Sequence, residues 1–318
     1  MKGNDSLFAA IDLGSNAFRM TIGQPVLCEQ RPMIQKVKSL REPVRLADGL
    51  QNEALDHHAL ERGWQALERF GKRLRGFEEF RVRAVATSAV RQARNAATFI
   101  AGAEERLGFP ITILSGQEEA RMVYAGVAHS LPCKKTTRLV VDIGGGSTEL
   151  IVGRANQALF SRSLAIGGGT FGTRYFADGK VNSRNLQMAE QAACLQFSSI
   201  ARSIGQHDWQ VAIGSSGTAR MLAKVLKAND FNDDDSDSIT YPGLLRLSLH
   251  LLQAGHPSRL KLAGLQPHKL GALPGGLAIM LAAFKVFAIE RMTLSEPALR
   301  LGLLHSLMHK HARSTARH

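Results

Sequence analysis

Two carboxylates stand seven positions apart in the stretch 139–150, "LVVDIGGGSTEL", with three glycines, a serine and a threonine between them. Asp142 and Glu149 are hard oxygen donors of the kind that suit Mg2+, which takes one or two carboxylates and keeps several waters. Gly144, Gly145 and Gly146 leave main-chain N–H groups uncovered, and Ser147 adds a hydroxyl. Consecutive glycines can curl such donors around an anion, and backbone approaches a phosphate closely only where no Cβ intervenes. The combination favours metal-assisted phosphate chemistry. For one residue alone, a turn cap or a solvent-facing strand position explains as much; two carboxylates about one glycine loop favour the functional reading.

Three further turns of small residues follow apolar runs: "DLGSN" (12–16), "AIGGGTFG" (165–172) and "AIGSSGTA" (212–219). The first brings Asp12, Gly14, Ser15 and Asn16, and the last brings Gly217. One such turn is an ordinary turn; four in a basic chain favour phosphate binding. No G-x-x-x-x-G-K-[ST] occurs, which excludes a Walker A loop. Gly167, Gly169 and Gly172 do form G-x-G-x-x-G. A dinucleotide fingerprint needs a helix at once and an acidic residue ending the next strand. Here "RYFADGK" intervenes and Glu190 falls inside a helical pattern. The histidines have no HExxH spacing, and no G-x-S-x-G elbow is present.

Glu118 and Glu119 sit side by side after Ser115. Ser115 and Glu118 have capping-box spacing, which opens a helix at 116 and accounts for Glu118. Glu119 then has no structural explanation beyond a mild dipole benefit, and a helix N-terminus is a good place for a general base. Arg91 and Arg94 lie at a strand–helix junction, where guanidinium forks suit phosphate oxygens; surface arginines are the plain alternative.

The elements that must position these residues follow from apolar spacing. Residues 7–11 read as a buried strand ending at Asp12, and 20–46 as further strands. The spacing of Leu60, Trp64, Leu67, Phe70 and Leu74 predicts a helix over 57–75. A strand at 81–90 runs into a polar turn, a helix follows that stops at Gly108 and Pro110, and 111–115 is a short strand. The second half reads as strands at 138–143 and 158–166, a long helix from Asn182 or Ser183, and a strand opening 210–220. An acidic solvated loop at 229–238 and helices near 242–254, 275–290 and 296–312 complete it. "AAIDLGSN" (9–16) and "VVDIGGGS" (140–147) share an apolar strand, an Asp and a small-residue turn, 130 positions apart. That repetition predicts two α/β lobes, each presenting one turn to a shared cleft.

Composition bounds the partners. Over 318 residues, 40 Lys and Arg against 27 Asp and Glu give a formal charge of +13, which attracts polyanions. Cys28, Cys133 and Cys194 have no CxxC spacing and read as buried small residues of a reducing compartment. The N-terminus lacks an apolar signal core, and the apolar run 277–284 is far short of the ~20 residues of a membrane span. The expectation is a cytoplasmic protein with no membrane and no specific nucleic-acid partner, since only 6% of residues are aromatic and no recognition motif occurs.

"AAIDLGSNAFRM", "ATSAVRQARN", "ILSGQEEARMVYAGV", "VVDIGGGSTELIVG" and "AIGSSGTAR", with "RLADGL" and "LSEPALRLGLLHSLM" in order, resemble the exopolyphosphatase / guanosine pentaphosphate phosphohydrolase family over 7–310. The resemblance implies an α/β fold of two ribonuclease-H-like lobes, of actin/Hsp70/sugar-kinase type, with an active-site cleft between them. It places the boundaries at 1–128 and 129–295, with a helix at 296–318 returning to the first lobe. It implies Mg2+-dependent removal of the terminal phosphate of inorganic polyphosphate or of pppGpp. By position, Glu119 matches the catalytic carboxylate, Asp142 and Glu149 the pair that holds metal and orders water, and Gly144, Gly145, Gly146 and Ser147 the phosphate loop. Asp12, Gly14, Ser15 and Asn16 match the first loop, and Arg91 and Asn95 a cleft-lining segment. Two departures stand out: Leu301 occupies an acidic position of the family's "LREG", and Lys269 stands where an arginine is common. Longer relatives carry an added helical domain that grips polymer, and a homodimer is the oligomer implied. The alternatives are pppGpp as main substrate, a catalytically weak (p)ppGpp-binding regulator, and an ATP-using kinase of the same fold.

Overall fold

The structure, a computed structural model, describes residues 6–28, 31–131, 135–234, 236–296 and 298–315. The chain divides into two units, residues 1–132 with 297–318 and residues 133–296.

The first unit begins β1 (Phe8–Leu13), β2 (Phe18–Cys28), β3 (Arg31–Glu42), β4 (Leu50–Gln51), β5 (Ala54–Leu55), α1 (His57–Arg73), β6 (Val82–Ala86), α2 (Ser88–Gln92), α3 (Ala96–Leu107), β7 (Ile111–Ile113) and α4 (Gly116–Ser130). The second runs β8 (Thr137–Ile143), β9 (Thr148–Arg154), β10 (Gln157–Leu164), α5 (Gly168–Tyr175), α6 (Ser183–Gly205), β11 (Val211–Gly214), α7 (Gly217–Ala228), β12 (Ile239–Thr240), α8 (Tyr241–Ala254), α9 (Leu273–Val286) and β13 (Arg291–Leu294). The last helix, α10 (Ala298–Thr315), belongs to the first unit.

Beside the small β4-β5 pair, the two large sheets are built alike. Strand order is β3-β2-β1-β6-β7 in one and β10-β9-β8-β11-β13-β12 in the other. In both, a three-strand antiparallel meander is followed by two strands that pair parallel, and the second sheet adds β12 antiparallel at its edge. This is the ribonuclease-H-like arrangement, and the repeated strand–Asp–turn marks its first hairpin twice.

Central strands are buried on both faces because helices cover both. Alternate residues of β1 feed two cores, as the period of two requires. Ala9, Ile11 and Leu13 pack with Phe18, Leu67, Phe70 and Phe99. Phe8 and Ala10 pack with Leu303, Leu304 and Leu307 of α10, which is why the chain's last helix joins its first strand. Helices α4 and α10 pack at glycine contacts: a Cβ on Gly126 would collide with the carbonyl of Ala298, and one on Gly302 with that of Met122.

Local signals account for most boundaries. Asp56 caps α1 by accepting from the Ala59 N–H at 2.7 Å, Ser115 and Glu118 form the expected capping box of α4, and Gly108 ends α3 at φ 78°. Three expectations need correction. The polar turn after β6 is a short helix, Ser88–Gln92. A helix opens immediately in "GGGTFGTRY", at Gly168, so the stretch "RYF" ends that helix instead of preceding one. What excludes the dinucleotide fold there is that β10 pairs antiparallel with β9. The acidic loop is not merely solvated: Asp233, Asp234 and Asp237 meet Arg246 at 2.6 Å, Arg291 at 2.7 Å and Lys227 at 3.0 Å.

The stretch Pro267–Val286 is long and apolar enough to cross a membrane by length and composition. It is mostly buried, and α9 forms the centre of the second unit's core. Cys194 is half-buried; the side chain of Cys28 and all of Cys133 lie outside the described residues.

Candidate active site

In the second unit, Asp142 is the last residue but one of β8 and Glu149 lies in β9, and the antiparallel register sets them directly opposite each other. Residues so placed stand about 4.5–5.5 Å apart, and like charges there repel. Each carboxylate receives a hydroxyl hydrogen bond. Ser215 Oγ donates to Asp142 Oδ2 at 2.5 Å, and Ser163 Oγ to Glu149 Oε1 at 2.7 Å. Glu149 is only 2% exposed.

Between the carboxylates, the Gly144 N–H closes the turn onto the Ser147 carbonyl at 2.8 Å. The turn is then gripped from outside. Gly168 donates to the Gly144 carbonyl at 2.9 Å, and Gly169 and Thr170 donate to the Gly145 carbonyl at 2.9 and 3.1 Å. A Cβ on Gly167 would come within 2.5 Å of Gly145 backbone atoms. This corrects the reading of "AIGGGTFG": its donors at Gly168, Gly169 and Thr170 serve the first glycine turn, and its glycines permit that backbone contact. Gly217 begins α7 behind the Ser216 cap, and Lys269 Nζ donates to the Gly217 carbonyl at 3.2 Å.

In the first unit, Asp12 occupies the position of Asp142, and its cross-strand partner is Arg19. Arg19 in turn faces Arg41 on β3. Arg300 of α10 reaches Asp12, Nη1 to Oδ2 at 3.6 Å, and donates from Nε to Thr21 Oγ1 at 2.9 Å. Burial pushes the Asp12 carboxyl up, against the opposing pull of Arg300 and then Arg19. Burial, reinforced by Arg300, lowers Arg19 to about 10. The Gly14–Ser15–Asn16 turn is held by the segment after β3: Ala47 donates to the Ser15 carbonyl at 3.0 Å and Arg45 to that of Asn16 at 2.9 Å. Arg45 itself sits in the left-handed region at φ 53°.

Glu119 lies in the first turn of α4, 7% exposed, and Arg91 Nη1 holds its Oε2 at 3.0 Å. The same Arg91 nitrogen donates to the Leu114 carbonyl at 2.7 Å. Arg91, expected as a substrate contact, is thus tied to the candidate base. Asn95 departs further from that expectation: its amide accepts from the Leu55 N–H and donates to the Leu55 carbonyl, both at 2.9 Å, which fixes β5. Leu301, at the family's acidic position, is buried, while its neighbour Arg300 supplies the charge that meets Asp12.

The pair Asp142 and Glu149 offers carboxylate oxygens, flanked by the Ser215 and Ser163 hydroxyls, and this oxygen set fits a hard divalent cation. Among the described residues no group of three or more His, Cys, Asp or Glu side chains converges on one cation position. A Mg2+ here would take the two carboxylates and complete its shell with water and phosphate oxygens. Sequence reasoning missed Arg19, Arg41, Arg300, Ser163 and Ser215. Arg19 was within reach: it lies seven residues past Asp12, as Glu149 lies seven past Asp142, so the 130-position offset makes it the counterpart of Glu149 in the repeat.

A family model described as the Ppx/GppA phosphatase family matches residues 26–311. A solved Ppx/GppA family member from Aquifex aeolicus is 24% identical, with TM-score 0.77, covering 96% of this chain and 98% of its own. An exopolyphosphatase from Cytophaga hutchinsonii is 23% identical, with TM-score 0.82, and covers 96% and 98%. At these identities the likeness to the two structures is one of fold.

Proposed function

This chain belongs to the Ppx/GppA phosphatase family, and from that premise we propose that it hydrolyses the terminal phosphoanhydride of inorganic polyphosphate in a Mg2+-dependent reaction. The observation that carries the proposal is the opposed pair Asp142 and Glu149, set about a glycine turn that other backbone groups hold in place.

Phosphoryl transfer asks a protein for positioning and charge stabilisation more than covalent chemistry. Main-chain N–H groups of Gly145 and Gly146, the Ser147 hydroxyl and the Gly14–Asn16 turn orient phosphate oxygens, with Gly217 and Lys269 beside the α7 N-terminus; the Gly144 N–H is spent on closing the turn. Mg2+, when bound by Asp142 and Glu149, supplies charge neutralisation to the terminal phosphate. Glu119, held by Arg91, takes the proton of the attacking water, with Glu149 helping to orient that water. The water oxygen bonds to the terminal phosphorus as the bridging P–O bond breaks. Inorganic phosphate and a chain one unit shorter leave, and no covalent enzyme intermediate forms. The formal charge of +13 raises the local concentration of a polyanion.

The test is phosphate release by the full chain from long polyphosphate, short polyphosphate and pppGpp, with Mg2+ and with chelator. Mg2+-dependent release from polyphosphate is expected. Faster release from pppGpp would reassign the substrate within the same chemistry. Tight binding of (p)ppGpp without release from any substrate would overturn the proposal in favour of a regulator.

A further inference from the structure

The residues flanking the two carboxylates form one line across the second sheet. Ser163 on β10 stands opposite Glu149 on β9, and Glu149 stands opposite Asp142 on β8. On the other side β11 pairs in parallel, Gly214 with Val141, so Ser215 follows at the level of Asp142. The row reads hydroxyl, carboxylate, carboxylate, hydroxyl. Ionised carboxylates only accept, and each hydroxyl has a single proton to give. Here each proton goes to the nearer carboxylate, at 2.7 and 2.5 Å. O–H···O− bonds this short are charge-assisted and strong.

Both hydroxyls sit on fixed backbone. Ser163 is inside the β9–β10 ladder. Ser215 donates its N–H to the Val141 carbonyl at 3.3 Å, and its own carbonyl accepts from Arg220 Nη1 at 3.2 Å. The equivalent row of the first unit holds Arg41, Arg19 and Asp12 instead. Only the second unit, with its two opposed carboxylates, carries these two serines.

We propose that Ser163 and Ser215 are positioning residues that fix the rotamers of Glu149 and Asp142, so that the two carboxylates hold a divalent cation as a preorganised pair. This rests on the metal assignment of the proposed function. Groups that orient metal ligands typically contribute 10–100-fold to metal affinity.

The probe is Mn2+, titrated into the full chain without substrate and followed by the loss of the free-ion EPR signal. Ser163→Ala and Ser215→Ala are each expected to weaken Mn2+ binding about tenfold and to raise the Mg2+ concentration for half-maximal phosphate release in step. Ser163→Thr, which keeps the hydroxyl, should restore most of the affinity. In a Glu149→Gln background, Ser163→Ala should add nothing, because its target charge is gone. Thermal melts check that the variants fold; should Ser215→Ala fail, the Ser163 series carries the test. Wild-type Mn2+ affinity in Ser163→Ala overturns the proposal. A wild-type chain that binds no Mn2+ overturns the metal assignment and this role with it. Mn2+ binding that follows the expected pattern without phosphate release supports the role and counts only against the reaction.

Discussion

Arg300 meets Asp12 across 288 positions of chain, Nη1 to Oδ2 at 3.6 Å, with both side chains largely buried at 9% and 15% exposure. The pair joins the last helix to the first strand at the edge of the Asp12 turn. Burial dominates the Asp12 carboxyl and raises it despite the pull of Arg300 and then Arg19. Breaking a buried pair by removing one partner typically costs about 3–5 kcal/mol; Arg19 stays beside Asp12, which holds the cost to the lower end. We expect Arg300→Met to lower unfolding free energy by about 3 kcal/mol, read from denaturant midpoints. Arg300→Met with Asp12→Asn should recover part of the loss.

Glu119→Gln keeps shape and removes the proton acceptor. General bases typically contribute 10²–10⁴-fold, so phosphate release should fall by about a hundredfold or more. The melting temperature should stay close to wild type, because a glutamine amide can still accept from Arg91. Full release by a folded variant would remove Glu119 from the mechanism.

The glycine turn of 144–146 offers a purely steric test. Gly167→Ala places a Cβ within 2.5 Å of the Gly145 backbone, so the turn must move. Gly205→Ala, at a helix end with nothing within 4 Å, is the control. We expect Gly167→Ala to depress phosphate release at least tenfold, and Gly205→Ala to leave it unchanged.

Three imidazoles meet between α4 and α10: His129 and His305 are tilted at 4.7 Å between ring centroids, and His305 and His309 lie edge to face at 4.4 Å. Burial first, then the neighbouring His129 and His309, lowers His305 to about 4. An unfolded histidine takes its proton near 6.5, so between those values the unfolded chain binds the extra proton. Stability is therefore complete above about 6.5 and falls as pH drops toward 4. Denaturant melts at pH 7.5 and 5 should show that loss, and His305→Gln should reduce it.

Much of the candidate site's local geometry was legible because its signals are local. The Asp142 turn, the Asp12 turn and the Ser115–Glu118 box each lie within eight consecutive residues, where type and spacing determine geometry. The fold followed from the same short signals, since each turn closes the first hairpin of a sheet. Ser163 and Ser215 were not legible, because strand register alone brings them to Glu149 and Asp142 from 14 and 73 positions away. Arg300 is the same case at longer range. The turn at 167–169 was misread for another reason: consecutive glycines look identical whether they admit a phosphate or a second backbone. Asn95 was assigned by position within a motif, and motif position does not say which way an amide faces.

The assignment of α10 to the first unit has a consequence for the order of assembly. Residues 133–296 are contiguous and supply every residue of the core around α9, so that unit can close without residues 297–318. The first unit cannot: the face of β1 that carries Phe8 and Ala10 waits for Leu303, Leu304 and Leu307. The first unit is therefore complete only once α10 has docked, and until then the Phe8 and Ala10 face of β1 is bare apolar surface.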